Sequence, residues 1–213
     1  MPIPAAASRF GIVMPMKQRA RAKSRLAPLG DRMRRQLVAA FAHDTIGAAL
    51  GSPLVDTVLV VTDDAEFAGS LRDLGVRVIP DGVEGDLNET LRLGAAEVVR
   101  ERPELSIAAL FADLPALTSA DLTTALTAAA YERCFVADAD AVGSTLLTAH
   151  TLRDFTPAFG GSSRAAHLEL GITELTDAPA TLRRDVDTPE DLTAALALGV
   201  GPHTRMIASA HGL

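Results

Sequence analysis

"SIAALFADLPAL", residues 106–117, decides how the rest of the chain is read. Six apolar residues run unbroken from Ile107 to Ala112, and then a carboxylate, Asp113, stands just before Leu114 and Pro115. An apolar run of that length, ended by a turn, reads as a strand buried on both faces, the kind found in parallel sheets covered by helices. "TSADLTTALTAAAY" (118–131) follows with helical spacing and Thr118 or Ser119 as its cap.

The same alternation extends in both directions. "RFGIVMPM" (9–16) reads as the first strand and "DRMRRQLVAAFAHDTIGAAL" (31–50) as a long helix with Asp31 as N-cap. "VDTVLVVTDD" (55–64) is a strand, 65–75 a short helix closed by Gly75, 76–81 a third strand and 86–101 a helix. Beyond residue 131 come strands at 134–138, 143–149 and 172–175, with a loop at 159–167. A last helix, 188–199, opens with Thr188 as cap and Pro189 at its first position. Strands alternating with helices predict an α/β fold, a mostly parallel sheet between helical layers. No internal repeat or linker divides the chain, so one domain over 1–213 is expected.

Composition narrows the function. Of the 213 residues 48% are hydrophobic and 22% charged, which describes a globular protein and not a disordered one. The longest apolar runs are strand-sized, no secretory leader is visible, and a single cysteine, Cys134, cannot form an internal disulfide. A cytoplasmic enzyme with no membrane partner is expected. The net charge of −7 gives a nucleic-acid partner no general support. Yet Lys17, Arg19, Arg21, Lys23, Arg25, Arg32, Arg34 and Arg35 fall within nineteen positions, with Asp31 the only acid among them. That concentration points to a local anionic ligand.

In open α/β sheets ligands sit beyond the carboxyl ends of the strands. The basic loop, Asp63, Asp64, Asp81 and Asp113 therefore share one rim. From Lys17 to Arg25 a cation recurs at every second position, which in an extended loop aims the side chains one way and suits a triphosphate. The glycines of a P-loop or a dinucleotide fingerprint are absent. In "RRDVDTPEDL", Asp185 and Asp187 precede the last helix, either as ordinary helix-terminal acids or as companions of Asp113. Two carboxylates from separate strand ends can hold Mg²⁺, which keeps its other positions for water and phosphate. "FGGSSRAAH" (159–167), with Thr145 upstream, is either a plain tight turn or a cradle for a small anion. His43 and His167 read as structural, and Cys134 as an inert core residue.

"VMPMKQRARAKSRLAP" (13–28), "LNETL" (87–91), "ADLPAL" (112–117), "FGGSSRAAH" (159–167) and "DVDTPEDL" (185–192), in this order, resemble the guanylyltransferases of deazaflavin coenzyme F-420 biosynthesis, over residues 11 to 202. The resemblance implies a nucleotidyltransferase fold of the glycosyltransferase-A-like kind, with a mixed, mostly parallel sheet. It implies GTP and a small phosphorylated carboxylate, phosphoenolpyruvate or 2-phospho-L-lactate, as substrates, with coupling to the next enzyme of the pathway. Asp113 and Asp185 would hold Mg²⁺. Lys17, Lys23, Ser24 and Arg25 would meet the triphosphate, and Asn88 would sit near the base. Thr145, Gly160 and Ser163 match the acceptor positions. Two departures stand out: Ala112 where Gly often precedes the metal acid, and Gly161 where Pro is common. An alanine-rich, arginine-over-lysine composition of actinobacterial character favours phosphoenolpyruvate. Two rivals remain: transfer to another acceptor such as a sugar phosphate or the molybdenum cofactor, whose enzymes usually begin with a glycine-rich loop, and a nucleotide-sensing domain without turnover.

Overall fold

The computed structural model describes residues 9–16, 23–83 and 85–213. Among these residues seven strands form one sheet: β1 (Phe10–Pro15), β2 (Val55–Val61), β3 (Arg77–Ile79), β4 (Ser106–Leu110), β5 (Cys134–Ala137), β6 (Ser144–Ala149) and β7 (Thr173–Glu174). Their order across the sheet is β3-β2-β1-β4-β6-β5-β7. All pairings are parallel except those of β6, which runs antiparallel to β4 on one side and β5 on the other. The sheet is thus mixed and mostly parallel, as the sequence led us to expect.

Among the described residues eight α-helices cover it: α1 (Asp31–Leu50), α2 (Ala65–Asp73), α3 (Leu87–Glu101), α4 (Ser119–Ala128), α5 (Ser163–Glu169), α6 (Ala180–Arg183), α7 (Pro189–Leu198) and α8 (Pro202–Ala210). A 3-10 helix spans Ser24–Leu29 and Lys23 is left-handed, so the extended geometry predicted for the basic loop does not hold from Lys23 to Arg25, and residues 17–22 lie outside the described residues. Strand alternation sends β1 side chains into two cores. Phe10, Ile12 and Met14 pack with Ile46 of α1 and Leu122 and Leu126 of α4. Val13 packs on the other face with Leu91 and Val98 of α3 and with Phe135. A third cluster joins Leu26 of the 3-10 helix, Leu37 and Phe41 of α1, and Val186 and Leu192 around the start of α7. That small cluster brings the chain after β1 against the chain before α7.

Helix α3 lies unusually close to the sheet. A Cβ at Gly94 would stand 2.6 Å from Val13 Cγ1, and both faces of that contact are packed. Gly94→Val should therefore cost about 2–3 kcal/mol through overpacking, read as a lowered denaturation midpoint. A loss near zero would mean α3 can retreat from β1.

Two local expectations are corrected. Asp31 is not the N-cap of α1; Gly30 holds that place, and Asp31 lies in the first turn, 3.2 Å from Arg34 Nη2. The carboxylate still favours the helix N-terminus. Helix α8 falls in a stretch where no element was anticipated. Its first turn is capped from outside, since Asp44 of α1 accepts hydrogen bonds from the N–H groups of His203 (3.0 Å) and Thr204 (2.8 Å). No capping side chain adjoins it in sequence, because Gly201 is the N-cap.

Candidate functional site

The rim at the carboxyl ends of β1 and β4 carries a cavity of about 380 Å³, within the usual range for small-molecule sites. Pro15 and Met16 line it from the end of β1, Lys23 and Arg25 from the turn that follows, Phe111 to Asp113 from the end of β4, Leu87 from α3, and Asp187 from the chain before α7. A larger groove of about 710 Å³ runs between α1, the start of α2 and α8, and its lining shares no residue with the first. Lys23, Arg25, Asp113 and Asp187 all line the smaller one.

Asp113 is placed by the turn after β4, whose backbone carbonyl accepts from the N–H of Val186 (3.1 Å). That bond ties the two acid-bearing segments together. In "DVD" the chain alternates: Val186 is fully buried in the third core cluster, and Asp185 and Asp187 face the opposite way. Ligand oxygens of Asp113, Asp185 and Asp187 all lie within 4.8 Å of one another. The segment is held from behind by α7. Thr188 caps that helix and Asp191 caps it in return, accepting from the N–H groups of Asp187 (3.2 Å) and Thr188 (2.9 Å) and pairing with Arg184 (2.8 Å).

Charge follows from this crowding. Burial, and then the neighbouring Asp113 charge, push the Asp185 carboxyl up to about 7, against the pull of Lys23. Lys23 pairs with both Asp113 Oδ2 and Asp187 Oδ1. Burial works against its charge, but the two carboxylates outweigh it, and its pKa is raised above the ordinary lysine value. Arg25 Nη1 lies 3.8 Å from Asp187 on the open side. The other oxygen of Asp113, Oδ1, is buried and has no hydrogen-bond partner among the described residues. An orphaned carboxylate oxygen beside two further acids suits a hard divalent cation that takes oxygen ligands.

The predicted site residues divide clearly. Asp113, Asp185, Lys23, Ser24 and Arg25 come together, and Asp187, named in the sequence but not assigned to a metal, joins them. Lys17 lies outside the described residues. Asn88, expected near the base, is engaged with a neighbouring loop. Its Nδ2 donates to the Phe159 carbonyl (3.0 Å) and its Oδ1 accepts from the Phe159 N–H (2.8 Å), so it clasps the 159–163 loop to α3. Thr145 is 2% exposed, and its hydroxyl donates to the Leu182 carbonyl at 2.7 Å. Ser163 is buried as well, donating to Ser144 Oγ (3.2 Å). Gly160 and Gly161 are exposed with φ of 123° and 32°. Proline cannot adopt the latter value, so glycine at 161 gives this loop a path that a proline would forbid. Asp63, Asp64 and Asp81 serve backbone turns on the rim: Asp64 caps α2, Asp63 accepts from the Asp81 N–H, and Asp81 from Thr90 and Val83.

His167 is structural, as its setting requires. Its Nε2 accepts from the Ala158 N–H (3.1 Å), so the neutral ring carries its proton on Nδ1 and donates to Ser144 Oγ (3.1 Å). Burial lowers its pKa to about 4. With an unfolded value near 6.5, its contribution is complete above pH 6.5. It shrinks as pH falls toward 4, because only the unfolded chain takes the proton there, a loss of about 3 kcal/mol. Urea unfolding at pH 7.5 and 4.5 checks this. The acid-induced loss should be visibly smaller in His167→Gln, and an equal loss in both proteins would contradict it. Burial pushes the Cys134 thiol up to about 11, consistent with an unreactive core position.

Known proteins place this geometry. A 4-diphosphocytidyl-2C-methyl-D-erythritol synthase structure superposes with a TM-score of 0.61 at 17% identity, covering 91% of this chain and 99% of that one. The structure of Rv0371C in complex with manganese, from Mycobacterium tuberculosis H37Rv, superposes with a TM-score of 0.55 at 20% identity, covering 90% and 100%. Both share the fold of this chain. In sequence, the phosphoenolpyruvate guanylyltransferase of Streptomyces coelicolor is 49% identical over 94% of this chain and 96% of its own length. That of Thermomonospora curvata is 48% identical over 94% and 89%. Residues 10–208 match the family model described as "Guanylyl transferase CofC like". With nearly its whole length matched in this way, the chain belongs to the CofC-like guanylyl transferase family.

Proposed function

We propose that this chain is a single-domain, cytoplasmic guanylyltransferase that joins GMP from GTP to phosphoenolpyruvate, releasing pyrophosphate, in deazaflavin coenzyme F-420 biosynthesis. The observation that carries the reading is the near-half identity, across almost the full chain, to enzymes named phosphoenolpyruvate guanylyltransferase. The clustering of three acids with Lys23 beside one cavity supports it.

Asp113, Asp185 and Asp187 would hold Mg²⁺, which when bound supplies charge neutralisation for the triphosphate and the departing pyrophosphate. The chemistry asked of the side chains is modest. A phosphate monoester has its second pKa at about 6 and is mostly dianionic at neutral pH, so its oxygen attacks the α-phosphorus of GTP without a protein base. The bond from that phosphorus to the bridging oxygen breaks, and pyrophosphate leaves with the electron pair. What remains is to bring two polyanions into line, and Lys23, Arg25 and the Lys17 segment provide the positive charge for it. Ser24 adds a hydroxyl at the same turn. Gly160, exposed on the clasped loop, is where the acceptor would approach. Thr145 and Ser163 shape that region from beneath, and Asn88 holds it. Phe111 links the two halves, its ring 4.9 Å from that of Phe159. The chain's acidity elsewhere is consistent with the absence of a nucleic-acid partner, and no helix among the described residues is long and apolar enough to cross a membrane.

The test is substrate-resolved pyrophosphate release. Purified protein with Mg²⁺ is offered each of the four NTPs with phosphoenolpyruvate, 2-phospho-L-lactate or 3-phosphoglycerate, and an enzyme consuming the product draws the reaction forward. GTP with phosphoenolpyruvate should give the highest kcat/KM. Release with CTP and a sugar phosphate, or none with any pair, would overturn the assignment.

A further inference from the structure

Of the twenty basic side chains only two are lysines, Lys17 and Lys23, six positions apart in the sequence after β1. Lys23 is turned inward. Its backbone sits in the left-handed region, with φ 52° and ψ 52°, a basin disfavoured for residues with a Cβ and one that collects at functional positions. Its side chain is 14% exposed, and its ammonium rests on Asp113 Oδ2 and Asp187 Oδ1. Those carboxylates are two of the three whose oxygens cluster within 4.8 Å. The amine thus stands among the oxygens best arranged for a divalent cation.

We propose that Lys23 is the built-in counter-ion of the metal-free site, that a divalent cation must displace its ammonium from Asp113 and Asp187, and that the displaced ammonium is then free to meet the triphosphate. The inference rests on reading the three acids as a metal site. Lysine suits the task and arginine does not. An ammonium is a compact charge on a flexible stem that can be re-aimed, whereas a guanidinium would grip a carboxylate with two parallel bonds. The arrangement couples the ligands. Metal alone has to evict a cation that has nowhere favourable to go. Metal with a triphosphate gives that cation a new partner, so each ligand should strengthen the other by the same factor.

The test reads metal affinity without turnover. Mn²⁺ binding is followed by the electron paramagnetic resonance of the free ion, with no nucleotide present, at pH 8.5. Lys23→Met should bind Mn²⁺ about tenfold or more tighter than the parent, and Lys23→Arg should not. Circular dichroism checks that the variants are folded. A second measurement uses the unaltered chain. Reductive methylation read by mass spectrometry should find Lys23 protected relative to Lys17 without metal. Reactivity at Lys23 should rise several-fold with Mn²⁺ alone and fall again with Mn²⁺ and GTP together. Equal or weaker Mn²⁺ binding by Lys23→Met, or methylation of Lys23 unmoved by Mn²⁺, overturns the counter-ion role while leaving the metal site standing. Failure of both parent and variant to bind Mn²⁺, with or without GTP, removes the metal reading and this inference with it.

Discussion

Asp113→Asn should lower kcat by about a thousandfold, a loss of roughly 4 kcal/mol in transition-state stabilisation, while the protein stays folded. The side chain offers two oxygens to the site. One takes Lys23, and the other is buried without a partner among the described residues. An amide offers a metal one neutral oxygen in place of a charged carboxylate and presents an N–H₂ group where a cation should lie. The fold has little at stake in that exchange. What anchors the segment is the backbone carbonyl of Asp113, which accepts from Val186 whatever the side chain is. Initial rates at saturating GTP and acceptor, with thermal melting on the same sample, separate the two effects. Turnover within tenfold of the parent would remove Asp113 from the metal site.

Asp187→Asn should cost about a hundredfold in turnover and raise the Mg²⁺ concentration for half-maximal rate. The smaller effect follows from position. Asp187 is 45% exposed at its side chain against 21% for Asp113, and it shares the site with a more deeply placed neighbour, Asp185. The variant also loses the carboxylate nearest Arg25. A Mg²⁺ titration of initial rate is the decisive reading. An unchanged half-saturation point would reduce the metal site to Asp113 and Asp185, as first expected from the sequence.

How much of this was legible in the sequence follows from what carries each signal. The strands were readable because the buried parallel strands are unbroken apolar runs, and α4 and α7 because Thr118 and Thr188 stand at their caps. Helix α8 was not, since its cap is Asp44, more than 150 residues away in the chain. The 3-10 helix at Ser24–Leu29 was hidden by the alternating cations beside it. At the site, Asp187 had a visible signal: a residue two places from Asp185 across a buried Val186 must face the same way in an extended segment. Thr145 carried no such signal. Which of Ser144 and Thr145 meets which layer depends on how β6 enters the sheet, and its antiparallel direction is a property of pairing. The clasp made by Asn88 was hidden for a related reason, because its partner is the backbone of Phe159, which no side-chain pattern reveals.

The loop bearing Gly160 is fastened on two sides, at Phe159 by the amide of Asn88 and at Ala158 by the ring of His167. A surface so fixed has already surrendered its conformational freedom during folding and has little left to lose when a small anion arrives. Discrimination between similar acceptors would then come from a rigid mould with little capacity to adjust, so that a misplaced methyl group or hydroxyl meets resistance in place of accommodation.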